Sequence, residues 1–328
     1  MSEITRRHLG GLALGAALAA PMGRVAAQAT WPNRPVTVVV PFPPGGTPDV
    51  VGRTLARHLS ESLGQPFVVE NRTGAGGNIG ASSVAKANPD GYTLLFSTNA
   101  PIANNTLLYR NMPYDPLTEL VGTAPVVELP GLFTARPNLP FSNIQGMVTY
   151  ARANPGKLNC GVPGTGLLGH LAAELLAHRT GARFTIVPYR GSAPLTNDLL
   201  GGAVDIAVDL VVTYLPHIRA GTVRPLGITA AQRMPTLPEI PTVAEQGVEG
   251  FKATGWATLL APARTPPDIV QKLTTATNAF VQLDSTRNLL PTLGMIPLGG
   301  TSADVARLMQ NEISLWGPIV REAGIVME

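Results

Sequence analysis

Two glycine-rich loops near the start of the chain restrict the fold more than any other feature. The first, Pro41-Phe42-Pro43-Pro44-Gly45-Gly46-Thr47-Pro48-Asp49, follows the apolar run Val36-Thr37-Val38-Val39-Val40. The second, Asn71-Arg72-Thr73-Gly74-Ala75-Gly76-Gly77-Asn78-Ile79-Gly80, follows Phe67-Val68-Val69-Glu70. Short apolar runs bounded by turn residues read as buried strands, whereas Val51, Leu55 and Leu59 recur at helical spacing over residues 48–63. A shorter helix over 78–87 leads through the turn Asn88-Pro89-Asp90-Gly91 to a third strand at 92–97. Strand, loop and helix repeated in this order require an α/β fold with a mostly parallel sheet, whose loops gather at the C-terminal ends of the strands.

Those loops carry a chemistry. Glycine lets the backbone approach a ligand closely, and a helix N-terminus presents unpaired N–H groups at the positive end of its dipole. Side by side the two loops form a socket for an anion, most naturally a carboxylate, lined by Phe42, Gly45, Gly46, Thr47, Gly76, Gly77 and Asn78. Thr47-Pro48 reads as N-cap and first helical residue. Asp49 either orders the first loop or its water by accepting N–H bonds, or serves the dipole as an acidic first-turn residue. The spacing Gly74-x-Gly76-x-x-x-Gly80 departs from the dinucleotide fingerprint and follows the second strand, so a nucleotide is disfavoured.

The N-terminus reads as an address and not as structure. Thr5-Arg6-Arg7 precedes a Gly/Ala-rich apolar run of about a dozen residues, too short for a membrane span. Ala27-Gln28-Ala29 then supplies a cleavage site, which predicts a twin-arginine leader over 1–29 and a mature chain from Thr30. Arg6, Arg7 and Arg24 account for most of the formal charge of +3, so the mature chain is close to neutral and gives no reason to expect a nucleic-acid partner. Cys160 is the only cysteine, which rules out an internal disulfide. Stability must come from packing, and about 300 residues suit two domains.

A second unit begins near Leu129, with strands expected at 131–135, 158–162, 184–188 and 205–208. Helices are expected around Leu168, Leu171, Leu175 and Leu176 and over 193–200. Residues 255–260 read as a strand returning to the first unit, followed by two long helices carrying Ile269, Leu273, Ala276 and Phe280, and Val305, Leu308, Met309, Ile313 and Trp316. The expected division is 30–128 plus 252–328 as lobe 1 and 129–251 as lobe 2. One domain inserted in another crosses between them twice, the layout of a hinged cleft.

From Trp31 to the C-terminus the chain resembles the periplasmic solute receptors of tripartite tricarboxylate transporters, the Bug family. The resemblance rests on both glycine loops with their flanks and on Asn154-Pro155-Gly156-Lys157-Leu158, His170-Leu171-Ala172-Ala173-Glu174 and Val187-Pro188-Tyr189-Arg190-Gly191. Further carriers are Leu200-Gly201-Gly202-Ala203-Val204-Asp205, Pro241-Thr242-Val243-Ala244-Glu245-Gln246-Gly247 and the segment from Trp256 to Pro266. It implies a two-lobed type II periplasmic-binding-protein fold with a ligand cleft between the lobes. It also implies a small organic carboxylate as ligand, held at one end by the glycine loops and at the other by lobe 2, and two membrane subunits as transport partners.

Further candidates follow from position. Ser97, Thr98 and Asn99 end the third strand and either face the ligand or cap a turn. Arg190 either clamps a carboxylate or braces the cleft, and Asp209 either meets a ligand amine or hydroxyl or caps a turn. In lobe 2, Thr165 and Gly166 precede Leu167 and Leu168 where similar receptors often carry hydroxyl residues. Leu168 fits the apolar stripe, so Leu167 is expected to face the cleft and favour an apolar ligand body. His170 reads as a packed helix-end histidine, Arg72 as a loop brace and Cys160 as buried. No nucleophile elbow, zinc motif or P-loop occurs, so no catalytic residue, metal or cofactor is expected. The expected product is a monomeric periplasmic receptor. A ligand-sensing module with the same pocket, or a periplasmic hydrolase using Cys160 and His170, is the alternative.

Overall fold

The computed structural model describes residues 30–327, so the expected leader lies outside the described residues. The first unit runs β1 (Val36–Val40), α1 (Thr47–Leu63), β2 (Phe67–Asn71), α2 (Asn78–Ala85) and β3 (Thr93–Thr98), then the one-turn helices α3 (Asn105–Leu108) and α4 (Pro116–Glu119). β4 (Leu120–Ala135) carries the chain into the second unit, which follows as α5 (Ile144–Ala153), β5 (Leu158–Val162), α6 (Leu168–Thr180), β6 (Phe184–Pro188) and α7 (Ser192–Gly201). It is completed by β7 (Ile206–Leu210), α8 (Val211–Arg219) and β8 (Arg224–Ile228). β9 (Thr254–Pro262) returns, and α9 (Pro267–Gln282), α10 (Asp284–Thr292), β10 (Ile296–Pro297) and α11 (Ser302–Glu322) close the chain.

The sheet path is β2-β1-β3-β9-β4-β7-β5-β6, with β8 and β10 also paired to β4. β1 lies parallel between β2 and β3, and β5 lies parallel between β6 and β7. The strand joining the two sets is β4, which runs unbroken through Leu129. Its first part pairs antiparallel with β9 from Leu120↔Pro262 to Pro130↔Thr254, and its end pairs antiparallel with β7 from Gly131↔Leu210 to Ala135↔Ile206. Register shifts surround Pro125, as expected where proline removes a ladder donor. The change of partner at Pro130-Gly131 passes the chain from one lobe to the other without breaking the strand.

Each lobe has its own core. Val38, Val40, Leu55, Leu59, Leu94 and Phe96 pack in the first with Leu273 and Phe280 of α9. Phe133, Ile144, Cys160, Leu171, Leu175 and Val208 pack in the second. α11 belongs to both. Val305 and Met309 pack with Trp256 and Leu260, whereas Trp316, Ile319 and Val320 join the cluster of Leu171 and Leu175. The helix is therefore a further link between lobes, beside β4 and the segment that returns through β9.

Candidate functional site

The C-terminal ends of the two parallel strand sets face one another, and between them lies a cavity of about 310 Å³. From lobe 1 it takes Pro41, Phe42 and Pro43 after β1, Thr73, Gly74, Gly76 and Gly77 after β2, and Ala100, Asn105, Leu108 and Tyr109 after β3. From lobe 2 it takes Thr165, Gly166 and Leu167 after β5, and Met327 completes the wall. None of these side chains carries a formal charge. An anion here must be held by backbone N–H groups, an amide and hydroxyls, a combination suited to carboxylates in a site shielded from water. Another cavity, about 340 Å³, lies against α11 beside Lys252, Glu128, Trp256 and Glu312. It touches neither glycine loop nor any end of a parallel strand.

The two loops are built differently. In the first, the buried Asp49 carboxylate accepts from Gly45 N (2.9 Å) and Arg53 Nε (2.9 Å) through one oxygen and from Asn71 Nδ2 (2.8 Å) through the other. Asn71 Nδ2 also donates to the Phe42 carbonyl (2.9 Å). These bonds staple the first loop to the end of β2. Burial alone would raise the Asp49 pKa, but Arg53, the Gly45 N–H and Asn71 together hold it below the ordinary value. Asp49 thus orders the loop. Gly45 and Gly46 are exposed and lie outside the cavity lining. Thr47 does not cap α1: Gly46 occupies that position and no side chain caps it.

In the second loop, four consecutive residues take positive φ: Gly74 (123°), Ala75 (47°), Gly76 (62°) and Gly77 (95°). Only Ala75 among them carries a side chain, and it sits in a conformation that costs a non-glycine residue about 1 kcal/mol or more. A Cβ on Gly76 would lie 2.7 Å from Tyr109 Oη and 3.2 Å from Asn105 Nδ2. Asn105 Nδ2 donates to the Gly76 carbonyl (3.2 Å) and to Asn78 Oδ1 (2.7 Å). Asn78 is therefore buried and spoken for, and it braces the loop from beneath instead of facing the cavity.

Beyond the loops the expectations need correction. Ser97 and Asn99 are buried and turn inward. Ser97 Oγ donates to the Thr98 carbonyl (3.1 Å), and Asn99 Nδ2 donates to Glu312 Oε2 (3.1 Å). Neither Ser97 nor Thr98 lines the cavity, whose lining after β3 begins at Ala100. Arg190 is exposed beyond β6 and does not line the cavity. Asp209 is buried at the end of β7, outside the cavity lining, where Oδ1 accepts from Leu210 N (2.7 Å). Burial raises its pKa against the Ser192 and Thr213 hydroxyls nearby, although Oδ2 has no partner of good hydrogen-bond geometry.

Lobe 2 presents a short arc. Leu167 is 44% exposed and lines the cavity, whereas Leu168 packs on the lobe 2 core. Gly166 has φ 72° and donates its N–H to His170 Nδ1 (3.0 Å). His170 is buried and fixes the arc from the first turn of α6, with Nε2 directed toward Glu174 (3.6 Å). A Cβ on Gly166 would lie 2.7 Å from Leu108 Cδ1, so the lobes touch there. Arg72 pairs with Glu70 (2.7 Å) and Ser83 (3.0 Å), a loop brace. Asn105, Leu108, Tyr109 and Met327 were not singled out in the sequence. Asn105 and Leu108 lie on the one-turn helix α3 and Tyr109 just beyond it, a stretch too short to show a hydrophobic period. Met327 offers no local signal at all. Among the described residues no group of acidic, histidine and cysteine side chains fits a metal ion, and no helix is long and apolar enough to cross a membrane.

Known proteins share this architecture. The family model described as tripartite tricarboxylate transporter family receptor matches residues 51–325. Protein BugT of Bordetella pertussis is 38% identical over 296 residues, 90% of this chain and 91% of that protein. Among solved structures, Rpa4515 of R. palustris with adipate is 42% identical at a TM-score of 0.79, covering 90% of this chain and 99% of that one. MatC from Rhodopseudomonas palustris with bound malate is 34% identical at a TM-score of 0.75, covering 88% of this chain and 99% of that one. The periplasmic binding protein BugD is 34% identical at a TM-score of 0.75, covering 91% of this chain and 100% of that one. Family match, identity and two-lobed fold agree, and the chain belongs to the tripartite tricarboxylate transporter receptor family.

Proposed function

We propose that the mature chain captures a small organic carboxylate between lobe 1, residues 30–128 plus 252–328, and lobe 2, residues 129–251. The observation that carries the reading is the uncharged interlobe cavity walled by the second glycine loop and by Thr165–Leu167. The ligand carboxylate lies against the backbone at Gly76 and Gly77. Its body lies against Leu167, which cannot satisfy a second buried charge. Burying a leucine-sized contact favours an apolar body by about 1.5–3 kcal/mol. The ligand is thus an aliphatic or aromatic acid in preference to a citrate-like polyacid. The adipate and malate of the related structures support a small organic carboxylate, and because both are dicarboxylates the preference for an apolar body rests on Leu167 alone.

The protein acts by binding alone, as a monomer that delivers its ligand to membrane subunits of a tripartite transporter. Cys160 is wholly buried and its thiol pKa is pushed well up by desolvation, with Glu174 adding to the rise, which speaks against a nucleophile. His170 is engaged by Gly166, which speaks against a general base. Export to the periplasm proceeds by the twin-arginine route, and exchanging Arg6 and Arg7 for lysine stops it; continued export of that variant would refute the route.

Calorimetric titration of the purified protein with hexanoate, benzoate, adipate, malate and citrate tests the binding reading. Acids with an apolar body are expected to bind most tightly. Tightest binding by citrate, with Leu167→Ser leaving the order unchanged, would contradict it.

A further inference from the structure

The last described residues are held against the cavity from two sides. α11 ends at Glu322, and Gly324 (φ 63°) reverses the chain. The Ile325 N–H donates to the Val320 carbonyl (3.0 Å), a helix-end arrangement that returns the tail onto its own helix. Ile325 is buried in the lobe 2 cluster with Trp316, Ile319 and Leu171. Two residues on, the Met327 N–H donates to the Leu108 carbonyl (2.8 Å), and Met327 forms a parallel bridge with Tyr109. The tail is therefore fastened both to the core around Leu171 and to Leu108 and Tyr109, which line the cavity, and Met327 is itself part of that lining.

We propose that Met327 is a specificity-determining residue of the ligand cavity, and that the tail sets which end groups the ligand body may carry. This rests on the reading of the interlobe cavity as the carboxylate site. Met327, Leu108 and Leu167 supply apolar lining in the same cavity as the second glycine loop, and methionine is a side chain that adapts to irregular apolar shapes. Beside them, Tyr109 Oη adds a hydroxyl to the lining, and burial raises its pKa, so it stays a neutral donor and acceptor. Such a wall accepts a methyl or aryl end, or a single neutral polar group at Tyr109. It penalises a second carboxylate, which finds no cation there. The tail thus adds to the apolar lining that Leu167 provides.

Hexanoate and adipate share a six-carbon chain and differ in one end, methyl against carboxylate, so their affinity ratio isolates the wall. Met327 is half-buried, and a lysine there extends its ammonium along the wall toward solvent. Titration of wild type, Met327→Ala and Met327→Lys with both acids tests the proposal, with urea unfolding confirming that each variant folds. Met327→Ala is expected to weaken hexanoate by about fivefold or more, because contact area is lost. Met327→Lys is expected to move the ratio toward adipate by about tenfold or more. Ratios within about twofold of wild type in both variants, where wild type binds, would overturn the proposal while leaving the carboxylate site intact. Loss of the folded state in both would also overturn it, because the tail would then be a structural clamp. Failure of wild type to bind any acid in the cavity would instead refute the carboxylate reading, and this proposal with it.

Discussion

At the scale of single residues, the second glycine loop is the part with least freedom to vary. Gly76→Ala puts a methyl group 2.7 Å from Tyr109 Oη in a left-handed conformation. We expect the substitution to cost about 1 kcal/mol of stability and to weaken carboxylate binding by about tenfold or more. Gly45→Ala is also left-handed, at φ 82°, but meets nothing within 4 Å. It should cost similar stability and leave binding nearly unchanged. Thermal melts and titrations of the pair decide this, and the reverse pattern would put the anion at the first loop. Both loops were legible in the sequence because glycine announces backbone geometry. Asn78 at the start of α2 and Ser97 and Asn99 at the end of β3 were misread because a polar side chain in such a place looks the same whether it faces a ligand or an internal partner. For Asn99 the partner is 213 positions away, beyond the reach of any local pattern. Leu167 was readable because its neighbour Leu168 fits the helical stripe and Leu167 does not.

At the scale of elements, α11 and its buried carboxylate hold the junction of the lobes. Glu312 accepts from Trp316 Nε1 (2.6 Å) and Asn99 Nδ2 (3.1 Å) at one oxygen and from Trp256 Nε1 (3.2 Å) at the other. It ties the end of β3, the returning strand β9 and the strap helix at one point. Burial raises the Glu312 pKa although those N–H donors and Lys252 oppose the shift. An acid with a raised folded-state pKa makes the fold most stable when protonated, so its contribution declines as pH rises from its unfolded value toward the folded one. The stability of wild type minus that of Glu312→Gln should therefore fall with increasing pH above about 4.5. A difference that grows with pH, measured by urea midpoints, would show that the charged form is the favoured one. Glu312→Leu strands three N–H donors and should cost roughly 2–4 kcal/mol. The helical period of α11 was plain from Val305, Met309 and Ile313. Its passage from one core to the other was not, since a stripe says that a face is buried and not against what. The sixteen-residue β4 was likewise hidden, because Pro125 and Pro130 break the pattern that marks a strand.

At the scale of the whole molecule, the lobes meet across the cavity where Leu108 touches Gly166. A valine at Gly166 adds a branched side chain at a position where even a Cβ comes within 2.7 Å of Leu108 Cδ1. It should act as a wedge. Gly166→Val is expected to lower ligand affinity by about tenfold or more and to abolish ligand-induced compaction in solution scattering. Unchanged compaction would mean that the lobes close about some other contact. The single buried thiol gives this molecule one more property. Cys160 lies on β5 in the centre of the lobe 2 core and is inaccessible in the native state. A thiol reagent reaches it only through excursions that open that core, so the labelling rate is a clock for those openings under native conditions. Any solute that binds the closed protein slows the clock in proportion to its occupancy. The chain thereby carries its own reporter, able to rank unlabelled solutes without an engineered probe.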